Sequence, residues 1–188
     1  MRQKELNILA VYNQASKEEM RAGIGWYADA RDEADRLAET YGLTLNQTAG
    51  IIAAVSPGLR WENNAETAER IIRKEALTGL GVRWYDGVGK AKRIVRGHNP
   101  DVVLKGNKVK AFYACILNPD NALSVCIDGH AYAIWQGTRV TLDDVPSLTD
   151  RLYHRIAGDY LAVAKLVKLS PCQLQAITWV AWRRMHNV

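Results

Sequence analysis

The sequence predicts an all-α protein, and three observations carry the prediction. Helix-start signals recur along the whole chain. Apolar residues repeat at helical rather than alternating spacing, and the connections are short and rich in glycine. No segment reads convincingly as a strand.

Ser16 followed by Glu19 is a capping box, in which each side chain satisfies a free backbone N–H of the other's turn. Beyond it Trp26, Ala30, Ala34, Leu37 and Tyr41 recur at helical spacing up to a stop at Gly42. Thr44 with Gln47 repeats the box and opens "LNQTAGIIAAVS", a nearly all-apolar helix expected at the centre of the core. Pro57-Gly58 breaks it. A third helix is expected from Trp61 through Ala68, Ile71 and Ile72 toward Ala76, ending near Gly79. "DGVGKAKRIVRG" predicts a turn followed by a short basic helix. "GNKVKAFYACIL" predicts the same, stopping before Asn118-Pro119, and "DGHAYAIWQG" starts a helix at Asp128. Ser147 with Asp150 opens a long amphipathic helix carrying Leu152, Ile156, Tyr160, Leu161 and Leu166. Ser170-Pro171 is an N-cap with proline at the first helical position, leading into "QLQAITWVAWRRMHN". That order amounts to about eight helices. The loop after Gly137, "TRVTLDDVPS", is the one irregular stretch, and there are no internal repeats.

An apolar content of 48% with 24% charged residues describes a globular rather than a disordered chain. Its 188 residues suffice for one well-cored domain or two small lobes sharing a cleft. No apolar run approaches the length of a membrane span, and that of "MRQKELNILAVYNQ" is too short for a secretory signal. Cys115, Cys126 and Cys172 are odd in number and widely spread. They are expected to be reduced core thiols of a cytoplasmic protein, not a disulfide framework or a metal site.

The net charge of +5 is concentrated. Between Arg83 and Lys110 stand eight basic residues (Arg83, Lys90, Lys92, Arg93, Arg96, Lys105, Lys108, Lys110) against the two acids Asp86 and Asp101. A basic stripe on an otherwise balanced body fits a polyanionic partner. Glycine turns run through the stripe. Glycine lets the main chain approach a phosphate, and the free N–H groups of the following helix point at the anion. Two segments qualify: Gly87, Gly89 and Lys90 in "GVGKAKRIV", and Lys105, Gly106, Asn107, Lys108 and Lys110 in "KGNKVKAFYACI".

After the second segment an apolar helix returns the chain, and "SVCIDGHAYAIW" sets Asp128 at a helix start beside His130. A carboxylate there accepts backbone N–H bonds, which favours the anion. One reading makes Asp128 only an N-cap, with His130 packing locally. The other gives it chemistry.

The order of glycine hairpin, lysine, apolar helix and Asp-x-His at a new helix resembles the helix-hairpin-helix/Gly-Pro-Asp superfamily of DNA glycosylases, in its endonuclease III-like branch. Ile127-Asp128-Gly129-His130 occupies the place of that family's Val-Asp-Thr-His, and Lys108 stands where its Gly-Arg-Lys carries the Schiff-base lysine of bifunctional members. "IIAAVSPGLRWENNAETAERII" is similar to the family's apolar helix, its Leu-Ser-x-Gln turn and the next helix. Gly58 stands where many members carry glutamine. "GVGKAKRI" falls where members carry a Lys-Ala pair, so "KGNKVKAF" is taken as the hairpin. It is shorter than the family's Leu-Pro-Gly-Val-Gly. Lys108 precedes Asp128 by twenty positions and Lys110 by eighteen, so either is a candidate for the cleft.

The resemblance implies a two-lobed helical fold with a helix-hairpin-helix and a central cleft. The chain would form one unit over 1–188, with a glycosylase-like core at 45–136 and a partner lobe from 1–44 and 137–188. It implies hydrolysis of the N-glycosidic bond of a damaged or modified base flipped from double-stranded DNA. Asp128 would stabilise the charge building on the sugar, and Lys108 or Lys110 would either grip phosphate or, as a free amine, attack C1′ and add AP-lyase activity. DNA contacts are expected from Lys105, Gly106 and Asn107, from Gly87, Gly89 and Lys90, from Arg60 and Trp61, and from His130. Trp26, Tyr27, Trp61, Tyr113 and Trp135 are the aromatics available for stacking. Most are expected in the core, with Trp61 assigned to the DNA side. In "RWENN", Asn63 or Asn64 contacts DNA or caps the next helix. Arg183 and Arg184 are expected to close the last helix rather than to bind phosphate. No cofactor is implied, since Cys172 alone lies where the family's four-cysteine cluster would be. The protein is expected to act as a monomer. Two alternatives remain: a non-catalytic helix-hairpin-helix DNA-binding module, and a same-fold enzyme of base hypermodification.

Overall fold

The computed structural model describes residues 1–80, 85–141 and 144–187. Among the described residues there are ten helices and no strand, so the fold is all-α. The helices are α1 (Gln3–Asn13), α2 (Lys17–Tyr41), α3 (Leu45–Val55), α4 (Trp61–Ile72), α5 (Tyr85–Val95), α6 (Pro100–Val103), α7 (Asn107–Leu117), α8 (Gly129–Gln136), α9 (Asp150–Val167) and α10 (Pro171–His186). None is long and apolar enough to cross a membrane, among the described residues. The chain divides into two compact units. One contains Met1–Asp29 and Asn118–Val188, and the other Ala30–Leu117. The division thus falls within α2 and after α7, whereas the sequence reading draws its core at 45–136.

The unit 30–117 is built on α3. Thr44 accepts from the Gln47 N–H and Gln47 returns the bond, so the predicted capping box is formed. Every residue from Thr48 to Val55 is buried, and α4, α5, α6 and α7 all pack on this helix. Two glycines allow the approach. A methyl group at Gly50 would come 2.8 Å from the Pro100 side chain, and one at Gly87 would collide with the Ala54 carbonyl oxygen.

In the other unit α1, α8, α9 and α10 pack on one another. Ile8, Ile134, Ile156, Tyr160 and Leu174 are fully or almost fully buried between them. The first half of α2 lies against α10, where a methyl group at Gly23 would stand 2.5 Å from the Ile177 backbone. Ser16 and Glu19 form the expected box at 2.8 and 3.2 Å. Glu19 also takes a 2.6 Å ion pair from Arg184, which with Arg183 lies in the last turn of α10. The Arg184 hydrogen bond holds the Glu19 carboxyl below its ordinary value.

Several element boundaries differ from expectation. Gly87 and Gly89 lie inside α5 rather than in a turn before it, and the glycine at 87 serves the contact with α3, where a side chain would not fit. Helix α4 stops at Ile72, not near Gly79. Lys74 adopts φ +60°, its N–H bonds the Ile71 carbonyl and the Glu75 N–H bonds that of Arg70, which closes the helix in a Schellman motif. Thr149, not Ser147, caps α9. Asn63 and Asn64 lie within α4, so neither caps it. Arg83, and part of the loop after Gly137, lie outside the described residues. The short helices α1 and α6 were not expected.

Candidate active site

Asp128 belongs to the unit formed by residues 1–29 and 118–188. The run before it, Val125-Cys126-Ile127, is buried yet in neither helix nor strand, so its backbone must find partners among side chains. Tyr153 supplies them on α9: its hydroxyl donates to the Val125 carbonyl at 3.0 Å and accepts the Ile127 N–H at 3.1 Å. Cys172 donates to the Ser124 carbonyl at 3.1 Å.

Asp128 then caps α8. Its backbone is extended, and Oδ1 accepts the Ala131 N–H at 2.8 Å. The side chain is half-buried, not sealed, and Oδ2 takes no hydrogen bond among the described residues. Tyr160, fully buried, donates to the Ala131 carbonyl at 3.3 Å. Burial pushes the Tyr160 hydroxyl up, and the charge of Asp128 adds to the rise. His130 is half-buried in the first turn of α8.

The lysine turn belongs to the other unit. Leu104 is fully buried and anchors it, while Lys105 and Gly106 are exposed. Gly106 adopts φ +78° with open space where a side chain would be, and Asn107 starts α7. Lys108 is half-buried in its first turn and Lys110 is exposed. Lys92 and Arg93 are exposed on α5, and Arg96 is exposed in the turn just after it. Like Lys105 and Lys110, none of these three is ion-paired among the described residues. Lys90, by contrast, is bound to Asp86 at 2.6 Å, so that cation is partly neutralised. In the same unit Arg60 is an exposed N-cap of α4 that makes no side-chain cap bond, and Trp61 beside it is half-buried.

Lys105, Gly106, Asn107, Lys108 and Lys110 are therefore brought together, and Asp128 stands with His130. Of the aromatics offered for stacking, Tyr27, Tyr113 and Trp135 are buried, whereas Trp26 and Trp61 are half-buried. Tyr27 bonds Gln175 at 3.1 Å. Burial, with the charge of Asp101, pushes the Tyr113 hydroxyl up to about 12.

Sequence reasoning missed the polar network under α8. Trp135 donates from Nε1 to Asp159 Oδ2 at 2.7 Å, and Asp159, 1% exposed, is ion-paired through Oδ1 to Arg2. Arg2 also holds Glu5, whose carboxyl lies below its ordinary value because the Arg2 backbone N–H and guanidinium both bond it. Partners this far apart in sequence leave no local signal. The one hint was an aspartate flanked by apolar residues and Tyr160 on α9.

A family model, that of a family of unknown function (DUF7178), matches residues 1–186, and the chain belongs to that family. No curated protein and no solved structure matches the chain.

Proposed function

We propose that this member of DUF7178 is a DNA N-glycosylase that removes a damaged or modified base. The observation that carries the reading is the state of Asp128. Its carboxylate is held by one oxygen on the Ala131 N–H, is half-exposed, and keeps its second oxygen unclaimed among the described residues. A fixed anion with a free oxygen suits a reaction that builds positive charge. In the proposed step the C1′–N bond breaks and the base leaves with the bonding electrons and takes a proton. Asp128 stabilises the cationic sugar while water forms the new C1′–O bond. A preorganised group in that role is worth about 3 kcal/mol of barrier.

The open Gly106 turn and the exposed Lys105 and Lys110 support a phosphate-binding role for the start of α7. Lys92, Arg93 and Arg96 extend the cationic surface of that unit. Trp61 and Arg60, at the start of α4, and His130, in the first turn of α8, are further proposed contacts. The substrate base reaches Asp128 by leaving the duplex stack.

Incubation with duplexes carrying a panel of damaged and modified bases, read by mass spectrometry, tests the reading. Release of a free base supports it. A base altered in mass but still attached to DNA would point instead to modification, and no change on any duplex would overturn it. Borohydride trapping of wild type, Lys108→Ala and Lys110→Ala identifies any lysine that attacks C1′. One observation favours a second reading: the 2.8 Å bond from Ala131 makes Asp128 a sufficient N-cap without chemistry. The protein would then be a DNA-binding module, with salt-sensitive binding and no base release.

A further inference from the structure

We infer that Tyr153 is the positioning residue for Asp128; this rests on the glycosylase reading above. The buried run 125–127 has no helix or strand to order it. Two of its backbone groups meet a single hydroxyl, that of Tyr153, at 3.0 and 3.1 Å. The second of these is the N–H of Ile127, the residue covalently joined to Asp128. A phenylalanine would fill the same volume, so packing alone does not explain the hydroxyl. Its two bonds fix the peptide that enters the cap.

The same helix secures the far side of the carboxylate. Tyr160 lies seven residues after Tyr153, two helical turns along one face of α9. Its hydroxyl holds the carbonyl of Ala131, whose N–H is the donor to Asp128. Asp159 then takes the Trp135 indole N–H at the end of α8. Residues 125 to 135 are thus tied to α9 before, after and beyond the carboxylate, while Oδ2 stays open. Misplacement of a reacting group by about 1 Å costs on the order of a hundredfold in rate, so a rigid mount has a catalytic use that an N-cap alone would not need.

Residue-resolved amide hydrogen exchange tests the mount without a substrate. In the wild type the Ile127 N–H should exchange with the slowest class of amides. In Tyr153→Phe, Ile127 and Ala131 should exchange at least tenfold faster while the amides of α10 keep their wild-type rates. Fast exchange of Ile127 in the wild type overturns the inference, and that measurement stands even if Tyr153→Phe does not fold. Equal acceleration of α10 in the variant also overturns it, because the hydroxyl would then support the whole unit. Where the wild type releases a base, Tyr153→Phe should lower kcat ten- to a hundredfold at unchanged KM, and an unchanged kcat rejects the assignment. Exchange as expected, with no base released by the wild type, keeps the mount and removes the glycosylase reading.

Discussion

Asparagine caps a helix about as well as aspartate, since either side-chain oxygen accepts the N–H bond, whereas alanine cannot. The two roles of Asp128 are therefore separable at a single position. Asp128→Ala should destabilise the protein by about 1 kcal/mol, read by urea denaturation, and Asp128→Asn should leave it near wild type. The sequence exposed this residue because Asp-Gly-His interrupts apolar neighbours, and the structure adds that the carboxylate is neither sealed nor fully engaged. The residues that steady it were hidden. Tyr160 reads as an ordinary apolar position of an amphipathic helix and Tyr153 does not stand out, and only the fold reveals that each hydroxyl meets a backbone group. Nothing local in the chain announces a hydrogen bond across more than twenty residues.

Among the helices, most starts were read correctly because caps are local chemistry: Ser16, Thr44, Asp128 and Ser170 all stand where the residue types require. Interiors were misread where packing overrode propensity. Gly87-Val88-Gly89 looked like a turn, yet α5 runs through it, and the two glycines differ in kind. At Gly87 an added methyl group would strike the Ala54 carbonyl, whereas at Gly89 it would meet nothing within 4 Å. Gly87→Ala should accordingly cost about 1–3 kcal/mol by overpacking the α3–α5 contact. Gly89→Ala should stabilise the helix by about 0.5–1 kcal/mol. Thermal and urea unfolding of the two variants check both signs. The same tertiary logic applies to Trp135→Phe. It leaves the buried Asp159 without its indole donor and should cost about 1–3 kcal/mol.

At the scale of the whole molecule, the basic stripe read from the sequence survives folding for the most part. Five of its cations are exposed and unpaired among the described residues, and Lys90 is tied to Asp86. If they bind phosphate, the logarithm of the affinity for DNA falls linearly with the logarithm of the salt concentration. Replacing each contacting residue by alanine reduces that slope by about 0.9, as fluorescence anisotropy at several salt concentrations would measure. Depressed carboxyls in both units contribute to acid stability, Glu5 and Glu19 in one and Glu69 in the other. Glu19 is lowered first by Arg184, and Glu69 by Tyr41 and then Arg36. A depressed folded value contributes stability above the ordinary 4.5 and loses it as pH falls through the folded value. Glu19→Gln and Glu69→Gln should thus lower Tm most near neutral pH, and the deficit should shrink below 4.5. The all-α class was plain from caps and spacing. The division into units was not, because it runs through the middle of the continuous helix α2, where the sequence shows no linker.

The most direct test of the account compares wild type and Asp128→Asn on a duplex whose base the wild type releases. Melting temperature and DNA affinity are measured on the same samples. The account predicts that Asp128→Asn melts and binds like the wild type but releases the base at least a hundredfold more slowly. Release at the wild-type rate would contradict it.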